Sequence, residues 1–315
     1  MTSPRVSVLI PVYNAERYLS SAVESVLGQS YRDLEIIAIN DGSTDRSASI
    51  LNEFAARDPR VIVISQPNAG ISAALNRGLE AASGIYVARM DADDLMAPER
   101  IAVQVAFLDE NPDIGFCASS INMIDEAGVV FDSYRPQPVT RAALSEMMKA
   151  HEAITYTHPT VTFRTAIGRS IGGYRREFEP CEDMDFFGRF ITSGHAGLVI
   201  PEALLNYRVH SGSISGSKAA RQIETTELVR VNLYRRLDGL PEYTPSDFHL
   251  YVRAMPFSKQ FFYKLKMRSR ILRQLAKYDR SSGRWPQALV RLGFAALLQP
   301  HKVVTQSLYA LRRAR

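Results

Sequence analysis

Short apolar runs alternate with helical periodicity through the first hundred residues. Val6-Ser7-Val8-Leu9-Ile10-Pro11-Val12-Tyr13-Asn14 reads as a largely buried strand ending in a loop at Pro11. Leu19, Ala22, Val23, Val26 and Leu27 then share one helical face, stopped near Gly28. Leu34-Glu35-Ile36-Ile37-Ala38-Ile39 is a second strand, and the polar turn Asn40-Asp41-Gly42-Ser43-Thr44-Asp45 feeds a helix marked by Ile50, Leu51 and Phe54. Val61-Ile62-Val63-Ile64 is a third strand. Gly70 opens a helix with Ile71, Ala74, Leu75, Gly78 and Leu79 spaced for burial, and Gly84 returns the chain to a fourth strand over residues 85–90. Regular alternation of this kind predicts an α/β fold with a parallel sheet and helices on both faces. With right-handed crossovers, Asn14, Asp41, Asp45 and the acids after the fourth strand share one edge, a crevice shaped for a nucleotide.

After Arg100 the alternation ends. A helix through Ile101, Val105 and Leu108 gives way at Pro112 to a strand over 114–121 and another over 129–131, a hairpin turning near Asp125-Glu126-Ala127-Gly128. Beyond Lys218 the pattern is helical, with Ile223, Leu228, Val231 and Leu233, then a break at Pro241 and Pro245. Residues 285–312 read as two short helices broken at Pro300, with Ala288, Leu289, Leu292, Ala295 and Ala296 on a packing face.

With 315 residues and 46% hydrophobic content, the chain is long enough for one large or two ordinary domains around a proper core. Cys117 and Cys181 lack metal-ligand spacing and fit a reducing compartment. The first residues lack the apolar stretch of a signal peptide, and no run reaches the roughly 20 apolar residues that span a bilayer. The expected location is therefore the cytoplasm.

Net charge is +5, but it is unevenly spread. Residues 255–315 hold 14 Lys or Arg against one acid, Asp279, or +13; the other 254 residues hold 24 basic and 32 acidic side chains, or −8. Within the tail, Phe257-Ser258-Lys259-Gln260-Phe261-Phe262-Tyr263-Lys264-Leu265-Lys266 interleaves aromatic and basic residues, a composition suited to the interface of an anionic membrane. A solvated basic face is the plain alternative. Nucleic acid is the other use of such charge, but no binding module for it accompanies the tail.

Chemistry concentrates first at Met90-Asp91-Ala92-Asp93-Asp94, three carboxylates in four residues after an apolar strand. Acids this close repel unless something positive sits among them, and a hard divalent cation shared with nucleotide phosphates is one answer. A solvated turn in which Asp94 helps cap the helix opened by Pro98 is the other. No Gly-rich fingerprint follows the first strand and no Gly-Lys-Ser/Thr occurs, which sets aside dinucleotide and P-loop readings and leaves metal to hold a diphosphate. The stretch Ser211-Gly212-Ser213-Ile214-Ser215-Gly216-Ser217-Lys218 reads as a loop or linker.

Taken together, the Ile-Pro-Val-Tyr-Asn strand end, the Asn-Asp-Gly-Ser-Thr-Asp turn, Asn68-Ala69-Gly70 with Asn76-Arg77-Gly78, and the Asp-x-Asp-Asp cluster resemble family 2 glycosyltransferases of the GT-A fold. His158-Pro159-Thr160, Gly172-Gly173-Tyr174, Glu182-Asp183-Met184-Asp185 and Tyr207-Arg208-Val209-His210 extend the resemblance over about residues 5–215. It implies a GT-A domain over 1–215, with a donor half near 1–100 and an acceptor half near 101–215, followed by a basic helical extension over 216–315. The central sheet would be mainly parallel and flanked by helices.

The implied activity is transfer of a sugar from a nucleoside-diphosphate donor, usually UDP-linked, with inversion at the anomeric carbon. By motif, Pro11, Tyr13 and Asp41 line the nucleoside pocket with Glu16 nearby, and Asp91 contacts ribose or sugar. Asp93 coordinates Mg²⁺ or Mn²⁺ on the diphosphate, a Lewis acid that neutralises the leaving group. Glu182-Asp183 supplies the acceptor base. Asp183 is the choice and Glu182 the fallback, because neighbouring acids at a helix start point about 100° apart and only one can face the anomeric centre. His210 completes the metal or diphosphate side, with Arg208 a second candidate there; His158 shapes the acceptor-side loop. Cys181, beside the acids, is read as packing.

Two departures qualify the resemblance. Leu75 stands where many members carry an Arg, and Ser281 stands where a Gln would precede Arg284-Trp285 in processive synthases, so single addition is favoured. The acceptor is expected to be a saccharide or a polyprenyl-diphosphate-linked sugar of a surface polysaccharide or glycolipid, met at the inner membrane face. The rivals are a nucleotidyltransferase, which leaves Glu182-Asp183 and His158-Pro159-Thr160 unexplained, and a non-catalytic scaffold whose tail holds nucleic acid or membrane.

Overall fold

The computed structural model describes residues 4–210, 219–281 and 284–298. Its centre is one nine-stranded sheet in the order β3-β2-β1-β4-β8-β6-β9-β5, with β7 paired to β6 outside that path. Strands β1 (Val6–Val12), β2 (Leu34–Asp41), β3 (Val61–Gln66) and β4 (Tyr86–Arg89) are mutually parallel, as the apolar runs predict. Between them lie α1 (Leu19–Leu27), α2 (Ser47–Arg57) and α3 (Ile71–Ala81). The remainder is mixed. β8 (Thr162–Arg164) is antiparallel to both β4 and β6 (Ile114–Ile124), while β9 (Ala196–Arg208) runs parallel to β6 and antiparallel to the two-residue β5 (Leu95–Met96). β7 (Val130–Tyr134) forms the expected hairpin with β6.

The chain lays down β1, β2 and β3 in one direction and then places β4 on the other side of β1. That reversal is a switch point, where open α/β sheets leave a crevice at their strand ends. β4 pairs with β1 only as far as Arg89 opposite Leu9. Pro11, which has no N–H for a ladder, sits beyond that point with β2 alone as its ladder neighbour, so β1 continues through it to Val12 rather than stopping there. β4 also begins one residue later than its apolar run, at Tyr86, and Ile85 is exposed.

Each face of the sheet carries its own core. One joins Val6, Val8 and Ile10 to α1, α2 and α4 (Arg100–Glu110) through Leu19, Val23, Leu51, Ile101 and Val105. The other joins Leu9, Ile37 and Val87 to α3 through Leu75 and Leu79, to α5 (Arg141–Lys149) through Leu144, and to α7 (Glu182–Thr192) through Phe186, Phe187 and Phe190. The short α6 (Thr165–Ser170) follows β8. The second face is further locked by Asn76 of α3. Its Nδ2 donates to the Tyr174 carbonyl at 2.8 Å and its Oδ1 accepts from the Tyr174 N–H at 2.7 Å. A Cβ on Gly173, whose φ is +66°, would lie 2.4 Å from that same Oδ1. Asn76→Ala orphans two peptide groups and is expected to destabilise by about 2 kcal/mol, read as a lower urea midpoint at unchanged m-value.

The helical extension packs on α7. α8 (Ala219–Leu237), α9 (Pro245–Ala254), α10 (Phe257–Ser281) and α11 (Trp285–Leu298) follow in order. Buried Glu227 of α8 takes Arg270 at 2.8 Å and Lys266 at 3.4 Å from α10. α11 folds back along α10: Ser269 Oγ donates to the Ala295 carbonyl, and Asp279 holds Arg284 and Arg291 at 3.1 Å each. Ala288 and Ala295 pack as expected, but Leu289 and Leu292 do not; Leu289 is 65% exposed. The helix is apolar nearly all round, so its small residues take the close approach to α10 and its large ones face outward. The loop reading of 211–218 and the second short helix beyond Pro300 lie outside the described residues.

Candidate active site

Strand ends β1 to β4 bring the first group of side chains to one edge. Asn14, in the left-handed region at φ 50°, accepts from the Thr44 N–H at 2.8 Å and donates its own N–H to Ser43 Oγ. Glu16 accepts from the Arg46 N–H and donates to Asp45, whose carboxyl pKa is lowered because bonds from the Ser47 hydroxyl and backbone N–H groups outweigh burial. The turn after β2 is thus stitched to the loop after β1. Gly42 permits it: φ is +72°, and a Cβ there would lie 2.6 Å from the Asn68 nitrogen.

Asp41, buried at the end of β2, accepts from Gln66 Nε2 at 2.7 Å and the N–H groups of Ala69 and Gly70 at 2.9 and 3.0 Å. A carboxylate has about four acceptor positions, so one remains for a ligand. Pro11 is buried beneath, while the Tyr13 ring stands open at the crevice.

At the end of β4, ligand oxygens of Asp91, Asp93 and Asp94 lie within 4.8 Å of one another. The last strand closes on them. Asp94 accepts the Arg208 N–H at 2.8 Å, and the Arg208 guanidinium donates to the carbonyls of Asp93 (2.8 Å), Asp125 (2.9 Å) and Glu126 (3.2 Å). Two residues on, His210 Nε2 stands 2.9 Å from Asp93 Oδ2. Burial and the neighbouring acids raise the pKa of Asp93 and, much more, of Asp94, whose Oδ2 is buried with no hydrogen-bond partner. Three hard oxygen donors, one of them orphaned, suit Mg²⁺ or Mn²⁺ better than a thiol- or imidazole-seeking metal.

Arg89, the last residue of β4, joins this group to the next. It is 5% exposed, and its Nη2 contacts Asp91 Oδ1 at 2.5 Å, while Nε and Nη1 find no partner. Its charge is felt by Asp94, Glu182, Asp183, His158 and Tyr174, so it lies amid both acid clusters. None of the sequence motifs named above includes it. A cation inside an otherwise apolar strand, two residues before the acids, was the available signal.

Glu182 and Asp183 begin α7, where the helix dipole favours negative charge. Desolvation nevertheless raises both carboxyls, with Asp183 adding to the shift of Glu182. Glu182 is the more hindered anion, since its Oε2 is buried without a partner; Asp183 accepts from the Met184 N–H at 2.8 Å and is favoured as an anion by Arg89. The single negative charge the pair can hold most easily therefore rests on Asp183. Asp185, fully buried, is bound by Arg175 and Arg189, and the Arg175 guanidinium continues to Glu242 at 2.7 Å, fixing this helix start to the extension.

His158 lies buried beside Tyr174 and Phe187, with Nε2 3.1 Å from the Tyr174 hydroxyl; desolvation and then Arg89 hold its pKa well below the usual value, so it is neutral. The buried Cys181 thiol, pushed up to about 12 mainly by desolvation, contacts the Gln222 carbonyl and Thr226. A depression of about 580 Å³ lined by Arg141, Lys149, His151 and Tyr234 lies where β6 and β9 begin, and none of the acids above reaches it.

A model of the family described as Glycosyl transferase family 2 matches residues 7–170, from β1 through the acid cluster to α6. The chain belongs to glycosyltransferase family 2. An uncharacterized glycosyltransferase of Haemophilus influenzae is 34% identical over 72% of this chain and 72% of its own. Among solved structures, the fold of this glycosyltransferase is similar to that of S. aureus TarS in complex with UDP-GlcNAc, with TM-score 0.58 and 16% identity over 95% of this chain and 91% of that one. It is also similar to the mannosyltransferase PcManGT of Pyrobaculum calidifontis in complex with GDP-Man and Mn²⁺, with TM-score 0.57 and 18% identity over 99% and 81%. The glycosyltransferase thus has the mixed, helix-flanked sheet of GT-A transferases. Among its described residues, no helix is long and apolar enough to cross a membrane.

Proposed function

We propose that this family 2 glycosyltransferase inverts configuration while moving one sugar from a nucleoside-diphosphate donor, UDP-linked, to a hydroxyl of a saccharide or polyprenyl-diphosphate-linked acceptor at a membrane face. The observation that carries the reading is the pairing of a three-carboxylate cluster, one member of which is held by Arg89, with a second acid pair, Glu182 buried and Asp183 half-buried, whose ionisation the same Arg89 favours. TarS in complex with UDP-GlcNAc and PcManGT in complex with GDP-Man and Mn²⁺ support a donor of this class.

In this reading Pro11, Tyr13, Glu16 and Asp41 hold the nucleoside, with the free acceptor position of Asp41 meeting a base imide. Asp91 takes ribose or sugar. Asp93, with Asp94 behind it and His210 alongside, holds Mg²⁺ or Mn²⁺, which when bound neutralises charge on the diphosphate. Asp183 accepts the proton of the acceptor hydroxyl as its oxygen bonds to the anomeric carbon. The carbon–oxygen bond to the diphosphate breaks on the opposite face, and the nucleoside diphosphate departs with the electron pair. Glu182 stays protonated beside it. Arg208 and His158 hold the walls, one clamping the acid loop and the other supporting Tyr174.

The test is calorimetric titration of the protein with a panel of nucleotide sugars in the presence of Mn²⁺. One donor should bind and be slowly hydrolysed; failure of every donor would overturn the reading.

Because burial raises Asp183, the base ionises only above the ordinary carboxylate range near 3.9, so kcat/KM should fall on acidification starting well above that value. Arg89 favours the anion, so Arg89→Met should move this acidic limb to higher pH, and Arg89→Lys should restore it; a pH–rate profile of the three proteins decides.

A further inference from the structure

We propose that the outward face of α11 and the N-terminal end of α10 form a docking surface for an anionic lipid bilayer, which deepens the membrane-face reading above and rests on it for its purpose. The first observation is an inverted helix. α11 spends Ala288 and Ala295 on α10 and turns Leu289, Val290, Phe294 and Leu297 outward, with Leu297 79% exposed. These positions, with Gly293 between them, form one stripe at helical spacing. A soluble helix ordinarily does the reverse.

The second observation is charge. On α10, Phe257 (82% exposed), Phe261 and Phe262 stand in solvent among exposed Lys259, Lys264 and Arg268. Phe257, Phe261, Lys264 and Arg268 follow one line along the helix, aromatic residues at its start and cations after them. No exposed carboxylate stands on either helix among the described residues; the one acid, Asp279, is buried against Arg284 and Arg291.

These features choose among occupants. A second copy meeting this face would set two basic stretches against each other. A nucleic acid would take the cations and leave Leu289, Val290 and Leu297 in water. An anionic bilayer accepts both, apolar side chains below the headgroups and cations at their level.

Position gives the surface a use. Tyr263, next to Phe262, packs in a cluster with Cys181 and Met184, the residues on either side of Glu182-Asp183. A bilayer met by α10 therefore lies beside the helix start that carries the acid pair, where an acceptor sugar raised from the membrane on a lipid diphosphate would be presented.

The experiment is vesicle flotation of the full chain with phosphatidylcholine vesicles, with and without phosphatidylglycerol, and with light scattering in parallel. The chain should float with anionic vesicles and stay behind with neutral ones. Each cation removed should weaken partitioning about fivefold, so Lys259→Gln/Lys264→Gln/Arg268→Gln should lose about a hundredfold. Leu289→Ser/Phe294→Ser/Leu297→Ser should lose at least tenfold. All six side chains are exposed, so circular dichroism melts and nucleotide-sugar binding should be unchanged. Absence of flotation, equal flotation of both variants and the parent, or an oligomer that the apolar variant dissolves would overturn the proposal. Donor binding without flotation sinks docking alone; flotation without binding of any donor sinks the transferase reading and leaves docking standing.

Discussion

Asp183→Asn should bind the donor as tightly as the parent and transfer sugar roughly a thousandfold more slowly. The amide keeps the shape of the carboxylate and the local bond to the Met184 N–H, so α7 still starts where it does. What it loses is the capacity to take a proton from the acceptor hydroxyl. Glu182 should not substitute, because its buried, unpartnered Oε2 makes it the harder of the two to ionise. The measurements are donor affinity by calorimetry and transfer rate by product formation. A variant that instead loses donor binding while keeping its residual rate would return Asp183 to a structural role.

Asp93→Asn should give the opposite pattern. Its carboxylate faces the crevice between Asp91 and His210, so neutralising it removes a hard ligand from the group best placed to hold a divalent cation. Donor affinity measured with Mn²⁺ should fall by about a hundredfold or more, and affinity in the presence of a chelator should barely change. If the two affinities fell together, Asp93 would be holding the loop and not the metal. Asp94→Ala separates the cases further, because it removes the acceptor of the Arg208 N–H, and that loss should appear in thermal stability as well as in binding.

Much of the sheet from β1 to β4 was legible because βα alternation is a local pattern. Each strand from β1 to β4 is announced by an apolar run, and a parallel sheet then dictates that Tyr13, Asp41 and Asp91 share an edge. What the pattern could not carry was pairing between distant segments. Nothing around Arg208 signals that its guanidinium is consumed by three backbone carbonyls, since that depends on β9 returning beside β6 and β5. Asp41 likewise reads as an open acid, yet Gln66, Ala69 and Gly70 already occupy most of it. In α11 the difficulty was different: a helix apolar on nearly every side gives periodicity nothing to grip, and only packing against α10 decides which face is inside.

The clamp on the acid cluster sets an order of events during synthesis. Asp93 and Asp94 leave the ribosome more than a hundred residues before the strand end that secures them, for the bonds from Arg208 span 115 and 114 positions. A nascent chain that has folded its first four strands therefore has Asp91 held by Arg89 but leaves Asp93 and Asp94 without their clamp, and the acid cluster is finished only when residues 208–210 arrive. The acid cluster is completed late in translation, as the helical extension begins to follow it out of the ribosome.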